Sequence, residues 1–293
     1  MNRYYSQRHR RQLDPDRDAC TLTEWMTGRS KCLYGIHPHG FAVFLDHTRV
    51  DACDEYKRGD PYGIEDNIDS SFQKARIANT ISLVRHITRV SGNDLIRILD
   101  IGCGQGYIST QIRRAFPQCA ISAVDLSISA IEKARVVDSN IDFIVADAND
   151  LPYPPGSFDC LIMNNIWEHL TDPLGLLINA KRVLKDKGYL ILSTPSRYRF
   201  SNLIRALRGK QLVISPHHIT EYTIGQVKEQ LRFAGFETIR TISSDTSSRH
   251  GSISPSALAS RLVRAILTVL LGITRSHHLL NSTAFFLAVK QNG

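Results

Sequence analysis

The stretch ILDIGCGQGYIS, residues 98–109, constrains this chain more than any other. Ile98, Leu99 and Ile101 are apolar and β-prone, so they read as a buried strand. Gly102, Gly104 and Gly106 follow at alternate positions, ahead of a candidate helix over 107–116. Glycine adopts backbone angles closed to other residues and lets a ligand approach the main chain. A strand that ends in such a loop and feeds a helix is the pattern of a nucleotide site.

The flanking sequence supplies the rest of an α/β sheet. Candidate strands fall at 96–101, 120–125, 141–146, 158–164, 188–194, 236–242 and 283–290, and candidate helices at 107–116, 127–138, 173–185 and 222–234. Asp172 before Pro173 is a helix start, and Gly235 fits a helix end. This alternation predicts a doubly wound, mainly parallel sheet with helices on both faces. Phe72, Ala75, Ile77, Ala78, Ile81, Val84 and Ile87 recur at helical spacing, so 68–90 reads as a helix ahead of the sheet. Three units follow: a basic flexible tail over 1–20, an N-terminal helical extension or lid over 21–95, and a core over 96–293. The core carries two insertions, 195–220 and 243–282. Within the extension, YGIHPHGFAVFLDH predicts two short extended pieces around a turn.

Composition excludes several classes. No two of the six cysteines are spaced C-x-x-C and no Cys/His set has zinc spacing, so neither a disulfide framework nor a zinc module is expected. The N-terminus lacks the apolar run of a signal peptide and no stretch of about 18 residues is apolar throughout, so a cytoplasmic location without a membrane span is expected. The formal charge of +8 permits contact with anionic lipid or nucleic acid without requiring it.

The ligand is narrowed by two acids. The second strand ends at Asp125, where a carboxylate can accept both hydroxyls of a ribose; the third ends at Asp147, placed to accept from an adenine amino group. Leu126 and Ala148 would flank the ring. Asp100, beside the loop, can accept from a ligand amine or orient the loop amides. A nicotinamide dinucleotide wants G-x-G-x-x-G, yet here the third glycine comes one position early and Tyr107 stands in its place.

Four blocks arrive in order: ILDIGCGQGYIS, AVDLS, VADANDLPYPPGSFDCLIMNNIWEHLTDP and RVLKDKGYLILSTP. Together they resemble the class I S-adenosylmethionine-dependent methyltransferases, closest to the branch that methylates small molecules, whose LPF-x-x-x-SFD…LEH pattern is similar to LPYPPGSFD…WEHL here. The resemblance covers 96–194 strongly and 221–242 and 283–290 weakly. It implies a Rossmann-like seven-stranded sheet in the order 3-2-1-4-5-7-6 with the last strand antiparallel, and S-adenosyl-L-methionine as cofactor. It implies Asp100, Gly102, Cys103, Gly104, Gly106, Asp125, Leu126, Asp147, Ala148 and Asn164 as the cofactor-binding set, with Asn165 beside it.

Methyl transfer to a hydroxyl needs an aligned acceptor and a base, and histidine suits that at neutral pH. His217, His218 and His169 are the candidates; His37 and His39 belong with the extension, and Trp167 reads as a packing residue. Glu168 and His169 are ligand types, but two ligands without further partners specify no metal site, and none is assigned. Residues 256–273 are apolar around most of a helix, with Arg261, Arg264 and Arg275 on a polar stripe. That segment fits a lid, a homodimer contact or core filling on one side, and a peripheral membrane contact or a tunnel for a lipid-like or polyketide-like acceptor on the other. An S-adenosylmethionine-dependent O-methyltransferase of a small molecule is therefore expected. The rivals are a catalytically idle module of the same fold and a nucleic-acid methyltransferase. No D/N-P-P-Y block follows the fourth strand, so no specific nucleic-acid partner is expected.

Overall fold

The computed structural model describes residues 4–63, 69–212, 217–244, 255–273 and 281–291. Seven strands form the body of the sheet: β1 (Arg97–Ile101), β2 (Ala120–Asp125), β3 (Asp142–Val145), β4 (Phe158–Asn164), β5 (Leu184–Pro195), β6 (Phe236–Ser244) and β7 (Thr283–Lys290). Their order is β6-β7-β5-β4-β1-β2-β3, and β7 pairs antiparallel with both neighbours. This is the expected 3-2-1-4-5-7-6 arrangement. The chain runs outward from β1 to β3 and then crosses back to β4, on the other side of β1. A crevice opens at that switch point, beyond the carboxyl ends of β1 and β4.

Each strand alternates its side chains between two cores, as the pleat dictates. Leu99 and Ile101 of β1 face a layer built with α4 (Pro173–Val183) and α6 (Ile224–Phe233). Ile98 faces the opposite layer, with α1 (Ser71–Ser91), α2 (Tyr107–Ala115) and α3 (Ile128–Val137). Capping side chains set helix starts: Asp172 accepts from the Gly175 amide ahead of α4, Ser127 from Ala130 ahead of α3, and Thr223 forms a capping box with Gln226 ahead of α6.

The N-terminal region departs from expectation. It is not only helical. Three short strands, Ala42–Val43, Tyr34–Ile36 and Ala19–Thr21, extend the sheet beyond β3 to ten strands. The first two are the short extended pieces expected around the turn at Pro38–Gly40, and they pair as an antiparallel hairpin. The Arg-rich composition of 1–20 predicts a flexible tail; instead residues 4–20 pack onto the body. Tyr4 meets the rings of Tyr34, Phe44 and Tyr153, Leu13 is buried, and the Tyr5 amide donates to Pro152 O. Arg11 clamps buried Asp18 with two 2.6 Å hydrogen bonds, holding that carboxyl down at about 2. Aromatic anchors between the arginines hold the segment down, and a count of charge misses them.

The insertions hold α5 (Phe200–Leu207) and α7 (Pro255–Ile273). α7 does not fill the core, because Leu262, Val263, Ile266, Val269, Leu270 and Ile273 are all exposed. Arg275 and the side chains of Arg261 and Arg264 lie outside the described residues. Among the described residues no helix is long and apolar enough to cross a membrane.

Candidate active site

A cleft of about 870 Å³ opens at the switch point, within the range of small-molecule sites. Its floor is the glycine loop. Gly102 and Cys103 donate their amides to Val124 O at the end of β2 (2.8 and 3.1 Å), and the Gly104 amide donates to Asp125 Oδ2 at 2.7 Å. All three glycines have φ between +53 and +74°, where a side chain is strained. Gly104 faces the cleft, and a Cβ there would come 2.9 Å from the Tyr56 hydroxyl. Gly106 has another task. A Cβ on it would lie 2.7 Å from Phe143 and 2.9 Å from Ala134, so its bareness seats α2 against the sheet.

Cys103, Leu126, Ala148 and Asn164 also line the cleft with Gly102, Gly104, Asp125 and Asp147. Asp100 and Gly106 do not. Asp100 is buried behind the loop and accepts the Ser109 hydroxyl at 2.5 Å, which ties β1 to α2. Burial pushes its carboxyl from the ordinary 3.8 up to about 6, against the pull of Ser109 and Arg76. The folded chain therefore holds a proton that the unfolded chain releases, so stability falls as pH rises from about 4 to 6. Asp100→Asn is expected to remove that slope. Urea unfolding at pH 4 and at pH 7 should show the variant gaining on the parent by on the order of 2–3 kcal/mol across the interval.

Asp125 is braced by the Gly104 amide and by the Ser127 amide at 3.0 Å; burial nonetheless raises its carboxyl above the usual range. Asp147 accepts from Arg49 and from the Asn149 amide, both at 2.8 Å. Asn164 has its side chain engaged on both ends, donating to Thr80 Oγ1 and accepting from Ser193 Oγ, so its amide serves the architecture of the wall.

Sequence reasoning missed the wall supplied by residues 49–63 and 70–76. Arg49, Tyr56, Tyr62, Gln73 and Arg76 all line the cleft. Asp54 fastens this segment down through the hydroxyls of Ser127 and Ser129. Arg76 is buried, donates to Gln73 Oε1 (2.9 Å) and Asn164 O (3.2 Å), and leaves its Nε without a partner. A signal existed: the polar residues Gln73, Arg76 and Thr80 recur at three and four along one helix face.

The opposite wall carries the histidines. His169, His217 and His218 all line the cleft. His169 Nδ1 donates to His217 O at 2.8 Å, and the Ile219 amide donates to Glu168 O, so the loop before α6 is stitched onto the turn after β4. His218 Nδ1 sits 3.0 Å from Glu221 Oε1, whose other oxygen takes Arg199 at 2.8 Å. Burial would push Glu221 up, but the hydrogen bonds from His218 and Arg199 outweigh it and hold the carboxyl below its usual range. His37 and His39 lie elsewhere, near Glu132 on α3. Trp167 is fully buried, with its indole N–H on Gln230, and packs the wall from behind.

The sequence profile of a methyltransferase domain matches residues 72–241. The chain belongs to that methyltransferase domain family. The methyltransferase domain has curated relatives. A Mycobacterium tuberculosis protein named "Probable S-adenosylmethionine-dependent methyltransferase" is 28% identical over 58% of this chain and 60% of its own length. A Hahella chejuensis malonyl-[acyl-carrier protein] O-methyltransferase is 37% identical over 38% of this chain and 41% of its own. The chain thus spans about 60% or less of the length of these two relatives. In fold, it is similar to a SAM dependent methyltransferase from Archaeoglobus fulgidus, with TM-score 0.52, 20% identity, and coverage of 79% of this chain and 100% of that one.

Proposed function

We propose that this methyltransferase domain binds S-adenosylmethionine and methylates a hydroxyl of a small acceptor. The observation that carries the reading is one cleft that joins a braced glycine loop and Asp125 to a wall of three histidines.

The residues fit the cofactor. The bare main chain at Gly104 lines the cleft under the Tyr56 hydroxyl, and Asp125 has lone pairs left for a ribose diol after bracing the loop. Leu126 and Ala148 offer apolar faces to a purine. Asp147 retains acceptor capacity for its amino group beyond the bonds from Arg49 and Asn149. Arg76, the buried cation of the cleft wall, is placed for the carboxylate of the methionine part. When bound, S-adenosylmethionine supplies an electrophilic methyl carbon. The chain's part is then to align an acceptor oxygen and to remove its proton. The imidazoles of His169, His217 and His218 form the basic wall for that proton. An oxygen acceptor is supported by the likeness to an O-methyltransferase.

Calorimetric titration of the purified chain with S-adenosylmethionine, and with its demethylated product, is expected to give one saturable site for each. Heat from neither, in a sample that melts cooperatively, would falsify the reading. The acceptor is then sought by transfer of labelled methyl into hydroxylated small molecules, which should outperform amines.

A further inference from the structure

We propose that Glu168, His169 and His218 bind a divalent transition-metal ion, and that this ion receives the acceptor's hydroxyl. The inference rests on the cleft being a methyl-transfer site. One ligand atom from each of the three residues lies within 4.8 Å of the others. Bonds of about 2.0–2.2 Å place three ligands of a shared ion about 3.3–3.8 Å apart, so side-chain rotations of about an ångström close the set. All three residues line the cleft.

Three further features point to an ion and not merely to a polar cluster. Both imidazoles are oriented from behind. The His217 carbonyl can only accept, so His169 carries its proton on Nδ1; the Glu221 carboxylate fixes His218 in the same way. Each ring therefore keeps its Nε2 lone pair available, which is how outer partners prepare histidine ligands. Glu168 is the second feature. Its carboxylate is 1% exposed and its oxygens take only neutral donors, Asn165 Nδ2 at 3.1 Å and Thr194 Oγ1 at 3.0 Å. The buried Arg76 guanidinium acts on Glu168 only from a distance, so among the described residues no cation touches the carboxylate, and a metal supplies that contact. The third is Asn165, held at φ +58° by Ser193 while its amide orients Glu168.

Two nitrogens and one oxygen suit Zn²⁺, Mn²⁺, Fe²⁺ or Co²⁺; Ca²⁺ and Mg²⁺ take oxygen sets. Three protein ligands leave coordination positions open toward the cleft. A hydroxyl that joins the ion there is acidified, as metal-bound water is. Its proton passes to His217, the imidazole of the wall left outside the ligand set. The three histidines thus divide into two ligands and one base, and an acceptor offering oxygen is favoured over an amine.

The test uses the full chain stripped with chelator, in a His39→Gln background so that the His37–His39–Glu132 cluster contributes no second site. Titration with Mn²⁺ and Zn²⁺ is expected to show one ion per chain. Cu²⁺ bound in its place should give an electron paramagnetic resonance spectrum split by two imidazole nitrogens. His218→Gln should weaken binding by about tenfold or more, while His217→Gln leaves it within about twofold. No saturable binding, or a spectrum without two nitrogen ligands, overturns the proposal, and the spectrum decides the matter even where His218→Gln does not fold. Titration of the same metal-free chain with S-adenosylmethionine separates the two readings. Cofactor binding without metal binding removes the ion alone; binding of neither removes the methyl-transfer reading beneath it.

Discussion

Asp125→Asn is expected to weaken S-adenosylmethionine binding about 100-fold while leaving the fold intact. The carboxylate does two jobs at once. One oxygen holds the Gly104 amide at 2.7 Å and the other holds the Ser127 amide at 3.0 Å, and the residue lines the cleft. An asparagine has one acceptor oxygen, so its NH2 must point at one of those two amides and push the loop away. It also lacks the charge that strengthens bonds to a ribose diol. Hydrogen bonds to charged groups contribute about 1.5–3 kcal/mol each, and losing about 2.7 kcal/mol is a factor of about 100 in affinity. Stability responds differently. Burial already raises the Asp125 carboxyl above its usual range, so the fold is strained by that charge and tolerates a neutral side chain. Calorimetric affinity together with a thermal melt checks both halves. Unchanged affinity would show that the ribose is held elsewhere.

The contrast between this residue and those of residues 49–63 and 70–76 shows what a sequence discloses. Asp125 is legible because it ends a strand beside a glycine loop, and strand ends are where an α/β sheet places its ligand. The seven strands were legible for a related reason: apolar runs such as 158–164 and 283–290 are buried on both faces, and their bounds coincide with β4 and β7. α1 was legible only as a helix. Its apolar recurrence through Phe72, Ala75 and Ile77 suggests one face, whereas the buried face begins with Gln73, Arg76 and Thr80. Polar residues turned inward to line a cleft break the pattern that periodicity relies on. The tail failed likewise, since Tyr4 and Leu13 anchor a segment whose arginines dominate any composition. His218 could be named from its neighbourhood, but its pairing with Glu168 and His169 spans about fifty positions and is set by tertiary structure alone.

Arg76→Met is expected to raise stability or leave it unchanged, and to weaken cofactor binding by about 30-fold or more. The opposite signs are the point. The guanidinium is buried, and burial pulls its pKa down despite Glu168 and Asp100. Both of its hydrogen bonds go to neutral acceptors, Gln73 Oε1 and Asn164 O, and its Nε has none. Replacing buried ion pairs by apolar side chains is often neutral or stabilising by about 1–4 kcal/mol, and an incompletely paired charge carries the same desolvation cost. The methionine chain keeps contact with Phe72, over whose ring the guanidinium lies at 5.5 Å, and the buried Gln73 and Asn164 oxygens that lose their donor offset part of the gain. The incompletely paired charge therefore costs the free protein something that the negative charge of a bound cofactor carboxylate would offset. Without the arginine that carboxylate enters the cleft unpaired, and removing one partner of a buried charge pair costs about 2–5 kcal/mol. Arg76→Lys retains charge without the planar fork and should fall between the two. A rise in melting temperature with unchanged affinity would refute the assignment and leave Arg76 as a burden on the fold that serves some other anion. A fall in both would mean that its bonds to Gln73 and Asn164 hold α1 against the sheet.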